Sequence, residues 1–419
     1  MEQTKYLVVG SSHAALEAVS AIRMHDADGS LMLMTRDTHL PYSPTVLPYV
    51  VSGRSAVDDI FLRDDGFFAA NRIEFKRGAG LKTLHTQSNV AELEDGSEVA
   101  YEKILLATGA APAIPSIAGI DKVSYHVLRT LDDATRLSAG IKQSRQAVVL
   151  GAGLVGMHAA ENLVKAGAHV TIVEMAKQLT DGYFDPVAAA LIEKAFTDNG
   201  AKVLTGSRAV GLAPSTLGTT VTLENGTTLE ADLLLIATGV KPNMAYLDGD
   251  ASGVDRDRGI LVSDTMQTSV ANVWAAGDCA QARGFFTDTA VMNSILPDAA
   301  TQGRIAGMAM AGDAGLKPYP GGVPLNTYHF FGCHAISVGS SKEPEGAEVV
   351  TRYDEASGRY IKAIFKDNRL LAIYGVNEFF DAGVMCQLIL RRVDLSAVKE
   401  RFLASPLTVG RELMSKLWR

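Results

Sequence analysis

The stretch QAVVLGAGLVGMHAAENLVKAGAHVTIVE, residues 146–174, decides the fold of this chain. An apolar run enters Gly151, Gly153 and Gly156, a helical pattern follows, and a second apolar run, HVTIV, ends at Glu174. Strand, glycine turn, helix, strand, acid is the order of a βαβ unit that holds a dinucleotide. The first glycine permits the turn out of the strand, the second lets backbone approach a pyrophosphate, and the third lets helix and strand pack closely. Leu154 and Val155 open the helix, whose free N–H groups and positive dipole end face the phosphates. Glu174 accepts from the ribose hydroxyls.

The same order occurs earlier. KYLVVGSSHAALEAVSAI, residues 5–22, runs from an apolar strand through Gly10 into a helix, and LMLMTRD ends at Asp37. Ser12 stands where the second glycine belongs and Ala15 where the third does; small residues keep much of the geometry. His13 and Ala14 complete that first turn. An internal repeat supports two related nucleotide domains: KILLATGAAP at 103–112 (Ala107, Thr108, Gly109) is echoed by LLLIATGVKP at 233–242 (Gly239). A further strand, NVWAAGDCAQA at 272–282, ends in Gly277-Asp278, where a carboxylate can hold a polyol or simply cap a helix.

The 419 residues call for about three domains, and 47% hydrophobic with 21% charged composition excludes a disordered or fibrous chain. A formal net charge of -8 argues against nucleic acid or an anionic membrane as partner. Cys279, Cys333 and Cys386 are too few and scattered for a disulfide framework or a metal cage, and they suit a reducing compartment. No signal-peptide pattern opens the sequence, and the uncharged stretch 104–120 is short for a membrane span and carries Pro112 and Pro115. A soluble cytoplasmic protein without a metal site is expected.

These motifs, in this order, resemble the pyridine nucleotide-disulfide oxidoreductase superfamily of FAD flavoproteins over nearly the whole chain. The resemblance implies an α/β fold: two Rossmann-like, three-layer (β/β/α) domains for FAD and NAD, plus an α+β C-terminal interface domain. The FAD domain would be discontinuous, 1–113 and 246–317, with the NAD domain at 114–245 and the interface domain at 318–419. FAD would be held by Gly10, Ser12, His13, Ala14, Asp37, Ala107, Thr108, Gly109, Gly277 and Asp278. Leu81 would offer its backbone to adenine or serve only as core. HVLRTLDDATRL resembles the family's Leu-Arg-Thr stretch, which gives Arg129 an FAD contact. NSILPDAATQGRIAGMAMAG begins a helix at Leu296 whose amino end would favour the negative charge of reduced flavin. NAD would be held by Gly151, Gly153, Leu154, Val155, Gly156, Glu174 and Gly239. A carboxylate at 174 repels a 2′-phosphate, and Met175-Ala176 lack an arginine although Lys177 is close, so NADH is preferred over NADPH.

The departures from the family pattern carry equal weight. Its redox cysteine is missing from TRDTHLPYSPTVLPYVVSG (35–53), and no cysteine precedes Cys279. A dithiol relay is thereby excluded, since a thiolate is the required nucleophile. His158 replaces a glutamate that family members place near the nicotinamide; it either touches the nicotinamide or is a satisfied helix histidine. Tyr49 stands where ferredoxin-reductase-like members carry a lysine. The resemblance then implies an FAD-dependent NAD(H) oxidoreductase that passes single electrons to an iron–sulfur partner subunit within a hetero-oligomer. The loop HLPYSPTVLPYVVSGR narrows it to flavin subunits of anaerobic complexes acting on aldehydes or 2-oxoacids. Stand-alone ferredoxin, rubredoxin or nitrite reductase components, an NADH oxidase, and a nucleotide-sensing binding module are the alternatives.

Overall fold

The computed structural model describes residues 1–248 and 252–417, and by internal contact the chain forms two compact units. One holds Met1–Ala111 and Val240–Gly322, the other Pro112–Gly239 and Val323–Arg419. The segment expected to bind NAD thus shares a unit with the C-terminal segment. Residues 249–251, inside the second expected FAD segment, and 418–419, at the end of the expected interface domain, lie outside the described residues. The fold is mixed α/β, as expected.

In the first unit, strands run parallel in the order Ile73–Arg77, Leu31–Thr35, Glu2–Val9, Glu98–Leu106, with Val273–Ala275 pairing beside the last. Val90–Leu93 and Leu81–His85 extend the sheet antiparallel from the start of Glu98–Leu106. Successive side chains of a strand face opposite ways. Tyr6 and Val8 accordingly join Leu31 and Leu33 in one core, while Leu7 and Val9 join Met32 and Met34 in another. Both faces are covered, which is why these strands read as unbroken apolar runs instead of alternating ones.

Helices His13–His25 and Leu296–Ala311 pack together on the first of those cores. Their seam is made of small residues. A Cβ at Gly303 would stand 2.0 Å from the Ala14 carbonyl oxygen, and one at Gly307 would stand 2.4 Å from that of Ala18. Backbone meets backbone there, so the two helices approach only because both positions lack a side chain.

The second unit begins with the parallel sheet Lys202–Leu204, His169–Val173, Gln146–Leu150, Leu233–Ile236, and an antiparallel sheet, Ala209–Pro214, Thr219–Leu223, Thr228–Ala231. After residue 322 comes a five-stranded antiparallel sheet ordered Leu325–Phe330, Cys333–Gly339, Arg369–Val376, Arg359–Lys366, Glu348–Asp354. Helices Ala382–Leu390, Lys399–Ala404 and Pro406–Leu417 follow it. Among the described residues no helix is long and apolar enough to cross a membrane.

Candidate functional site

The second glycine turn has the features its sequence requires. Gly151 takes φ +102, and a Cβ on it would stand 2.4 Å from the Ala237 carbonyl oxygen; its own N–H donates to Val173 O at 2.9 Å. Ala237 N–H in turn donates to Leu150 O at 2.8 Å. The Ala-Thr-Gly repeat is therefore the wall against which the first glycine closes. At Gly156 a Cβ would meet Gly151 O at 2.1 Å, the close helix–strand packing of the third glycine. Gly153, the N-cap of helix Leu154–Lys165, differs: apart from its chain neighbours, nothing lies within 4 Å of where its Cβ would stand. That is an open cradle in front of a helix amino terminus, which fits a pyrophosphate. Glu174 braces the turn, one carboxylate oxygen accepting from Ala152 N–H at 2.7 Å and the other from Ala176 N–H at 2.8 Å. Each oxygen keeps a second lone pair for a ribose hydroxyl. Val155, Met175 and Gly239 are exposed.

The first turn repeats this design with substitutions. Gly10 takes φ +120, a Cβ there would meet Ala107 O at 2.1 Å, and Ala107 N–H donates to Val9 O at 2.8 Å. Ala15, in the third glycine's place, is fully buried. The loop after Asp37 folds back on the turn. Tyr42 Oη donates to the Asp37 carboxylate at 2.7 Å, His39 N–H donates to its other oxygen at 2.9 Å, and His13 Nε2 meets Ser43 Oγ at 2.8 Å. Burial holds the His13 imidazole below its ordinary pKa. Thr108 Oγ1 donates to Asn243 O at 2.9 Å and meets Tyr246 Oη at 2.9 Å, while Asn243 Nδ2 donates back to Thr108 O. Thr108 thus fastens the strand end internally. Leu81 is core by its side chain and pairs with Leu93 in its sheet.

Gly277, at φ +79, precedes a half-buried Asp278, and Gly277 N–H donates to the Gln302 side chain at 2.8 Å. Leu296 opens the neighbouring helix and is partly exposed. Behind that helix end lies a polar cluster the sequence did not announce: Asp298 bonded to Asn293 and Tyr319, beside Gly322. Burial pushes the Asp298 carboxyl up to about 6, against the hydrogen bonds from Asn293 and Tyr319 that favour its charge. A carboxyl raised on folding stabilises fully below its unfolded value near 4, and that contribution is lost as pH rises through 6. Two pH units correspond to at most about 3 kcal/mol. Asp298→Asn should therefore melt at a higher temperature than the parent at pH 7.5 and alike at pH 4. Scanning calorimetry at both pH values checks this, and equal midpoints at pH 7.5 would refute it.

The sequence pattern of the pyridine nucleotide-disulphide oxidoreductases matches residues 4–303, most of the chain, across both glycine turns. The chain belongs to that family. It is 70% identical over 420 residues to NADH-dependent phenylglyoxylate dehydrogenase subunit epsilon of Aromatoleum evansii, covering 100% of this chain and 99% of that one. It is 27% identical over 316 residues to rubredoxin-NAD(+) reductase of Pseudomonas putida, covering 75% and 82%. Among solved structures it resembles the covalent putidaredoxin reductase–putidaredoxin complex, with a TM-score of 0.85, 26% identity and 94% of each chain covered.

In this pyridine nucleotide-disulphide oxidoreductase Cys279 and Cys333 are free thiols. Cys279 is fully buried, its Sγ donating to Leu106 O at 3.2 Å, and burial raises its pKa. Burial pushes Cys333 up to about 11. Neither supplies a thiolate near neutral pH. Cys333 and His334 face opposite ways: the thiol is buried, and the imidazole stacks on the exposed Phe379 ring at 5.3 Å. His158 packs against Phe330 with ring centroids 4.8 Å apart, and burial lowers its pKa, so its ring is neutral at physiological pH. Arg129 is half-buried in the second unit, its backbone N–H donating to Asp133 at 3.2 Å.

Four features of the family member were not announced by the sequence: the brace from Tyr42 to Asp37, the Asp298 cluster, a buried Glu161 bonded to Phe331 N–H at 2.8 Å, and the glycine seam between the two helices. Only the glycine seam had a signal, the four-residue spacing of Gly303 and Gly307.

Proposed function

We propose that this chain is an FAD-dependent NAD(H) oxidoreductase, the NAD-linked flavin subunit of a multi-subunit enzyme. What carries the reading is the pairing of two nucleotide turns, each with an acid at its strand end and the first with Ser12 and Ala15 in glycine places, with the lack of any cysteine before Cys279 and with burial that keeps Cys279 and Cys333 protonated. Bound FAD would supply the chemistry that converts a two-electron hydride into single electrons. The protein binds, orients and excludes water. Gly10, Ser12, His13, Ala14, Asp37, Asp278, Arg129 and the end of helix Leu296–Ala311 would hold FAD; Ala152, Gly153, Leu154 and Glu174 would hold the adenosine side of NADH. His158 would face the nicotinamide as a neutral ring.

With no thiol relay, electrons leave to or arrive from an external carrier, and an iron–sulfur subunit fits. The full-length 70% identity to a subunit of an NADH-dependent dehydrogenase favours this over a stand-alone reductase, where identity is 27% over three quarters of the chain. The ultimate substrate, an aldehyde or 2-oxoacid, would be oxidised on another subunit. Free thiols at Cys279 and Cys333 accord with a cytoplasmic setting.

The test is the absorbance spectrum of the purified chain, then anaerobic mixing with NADH and NADPH. Bleaching of bound flavin by NADH, followed by reoxidation with a ferredoxin, is expected; fast turnover with oxygen alone would favour an NADH oxidase instead. Glu174→Ala should weaken NADH binding about tenfold, because it removes the ribose acceptor and frees two turn N–H groups. It should also bring NADH and NADPH affinities within a few-fold of each other. An unchanged ratio in parallel titrations would remove Glu174 from the role.

A further inference from the structure

We propose that the hairpin tip Phe330–Phe331–Gly332 of the C-terminal sheet is a working part of the nicotinamide-nucleotide site, and that Glu161 is the positioning residue that ties it there. The inference rests on reading the second glycine turn as an NADH site.

The hairpin joins strands Leu325–Phe330 and Cys333–Gly339, with Phe330 paired to Cys333. Its two-residue loop has both φ values positive, +46 at Phe331 and +80 at Gly332. Glycine adopts that conformation freely, whereas a bulky residue is held there only by its surroundings. Helix Leu154–Lys165 and helix Pro186–Asp198 supply contacts that hold it. Phe331 N–H donates to Glu161 Oε1 at 2.8 Å, and Lys165 Nζ donates to the same oxygen at 2.7 Å. The Lys165 ammonium also lies over the Phe331 ring, 5.6 Å from its centroid, and Phe196 meets that ring edge-on at 5.1 Å. Phe330 contacts His158 at 4.8 Å and Phe196 at 5.2 Å.

Residues 158, 161 and 165 are spaced i, i+3 and i+7, one face of the helix, and the hairpin tip covers that face. The face leads to the open end of the turn, because His158 stands one helical turn beyond Leu154 and Val155. Glu161 is only 6% exposed. Buried glutamates are rare and demand partners, and an apolar side chain would cover the helix at lower desolvation cost. What the carboxylate adds is direction: it receives one specific N–H and so fixes the hairpin against His158 to within a hydrogen bond. Phe330 thereby backs the His158 ring, which burial keeps neutral.

The adenosine diphosphate half is gripped elsewhere, by Gly153 and the turn braced by Glu174. The two halves should therefore separate on mutation. Glu161→Leu should raise the dissociation constant for NADH at least tenfold and slow the limiting rate of flavin reduction. Its affinity for ADP-ribose should stay within twofold of the parent. Glu161→Gln keeps an amide oxygen for Phe331 N–H and should recover NADH affinity to within threefold. The experiment is calorimetric titration of the flavin-loaded protein with ADP-ribose, alongside anaerobic stopped-flow mixing with NADH. Parental NADH behaviour in Glu161→Leu overturns the proposal. So does loss of both ligands together without rescue by glutamine, which marks a merely structural residue. Should Glu161→Leu fail to fold, Phe331→Ala decides. It keeps the N–H but removes the ring beneath Lys165, and NADH alone should weaken about fivefold; parental affinity there overturns the proposal. A parent protein that binds ADP-ribose and NADH shows that such a failure belongs to the hairpin. A parent that binds neither overturns the site reading and this proposal with it.

Discussion

Gly156→Val is expected to abolish NADH binding while leaving the flavin content of the protein intact. The new Cβ would stand 2.1 Å from the Gly151 carbonyl oxygen and 3.3 Å from the Ala237 side chain. Neither neighbour can yield cheaply. Gly151 is already in a left-handed conformation, pinned by its N–H bond to Val173 and pressed against the Ala237 carbonyl. Relief must come from the helix, which would lift away from the strand and carry the N–H groups of its first turn out of register with Gly153. Overpacking a rigid contact costs about 1–3 kcal/mol, and misaligned phosphate donors add to that. An affinity loss of a hundredfold or more, about 2.7 kcal/mol, is the expected size. Flavin should persist because Gly10, Asp37 and Asp278 belong to the other compact unit. Flavin absorbance per chain and an anaerobic NADH titration give both readouts, and unchanged NADH affinity would refute the assignment of this turn.

Gly303→Leu should have the opposite signature: a protein without flavin and with a melting midpoint lower by about 10 °C. Its Cβ would lie 2.0 Å from the Ala14 carbonyl oxygen, within the helix turn that follows Gly10. Separating the helices there also disturbs Gly277, whose N–H is held by Gln302 one residue before Gly303. A destabilisation of about 3 kcal/mol shifts the midpoint of a unit of this size by roughly 6–12 °C. Gly307→Ala provides the comparison. It meets Ala18 O at 2.4 Å, one turn farther from the nucleotide turn, and should lower the midpoint while retaining flavin. A soluble, flavin-loaded Gly303→Leu with the parental midpoint would remove this seam from the account.

Both glycine turns were legible because their constraints are local. A positive φ at Gly10 and Gly151, an uncovered position at Gly153 and an acid at the next strand end are written in residue types a few places apart. The Ala-Thr-Gly repeat was visible too, but its purpose was not. Only the structure shows that the Ala107 and Ala237 carbonyls are what forbid a side chain on the preceding turn. Asp37 illustrates the limit. The acid was readable, whereas its brace from Tyr42 depends on how a proline-containing loop folds back, which no periodicity encodes.

The βαβ grammar, the two glycine turns and the lack of a redox cysteine pair are all written in residue order, since each follows from short-range geometry or from composition. The tertiary structure alone decided what surrounds those turns. Glu161 and Phe331 are 170 residues apart and Gly277 and Gln302 are 25 apart, yet each pair shares one hydrogen bond. Likewise Asp298 has its raised pKa only because packing removes water from its carboxyl. Such contacts are set by the closure of long loops around a core, and a buried polar group acquires its meaning only from the partner that closure delivers.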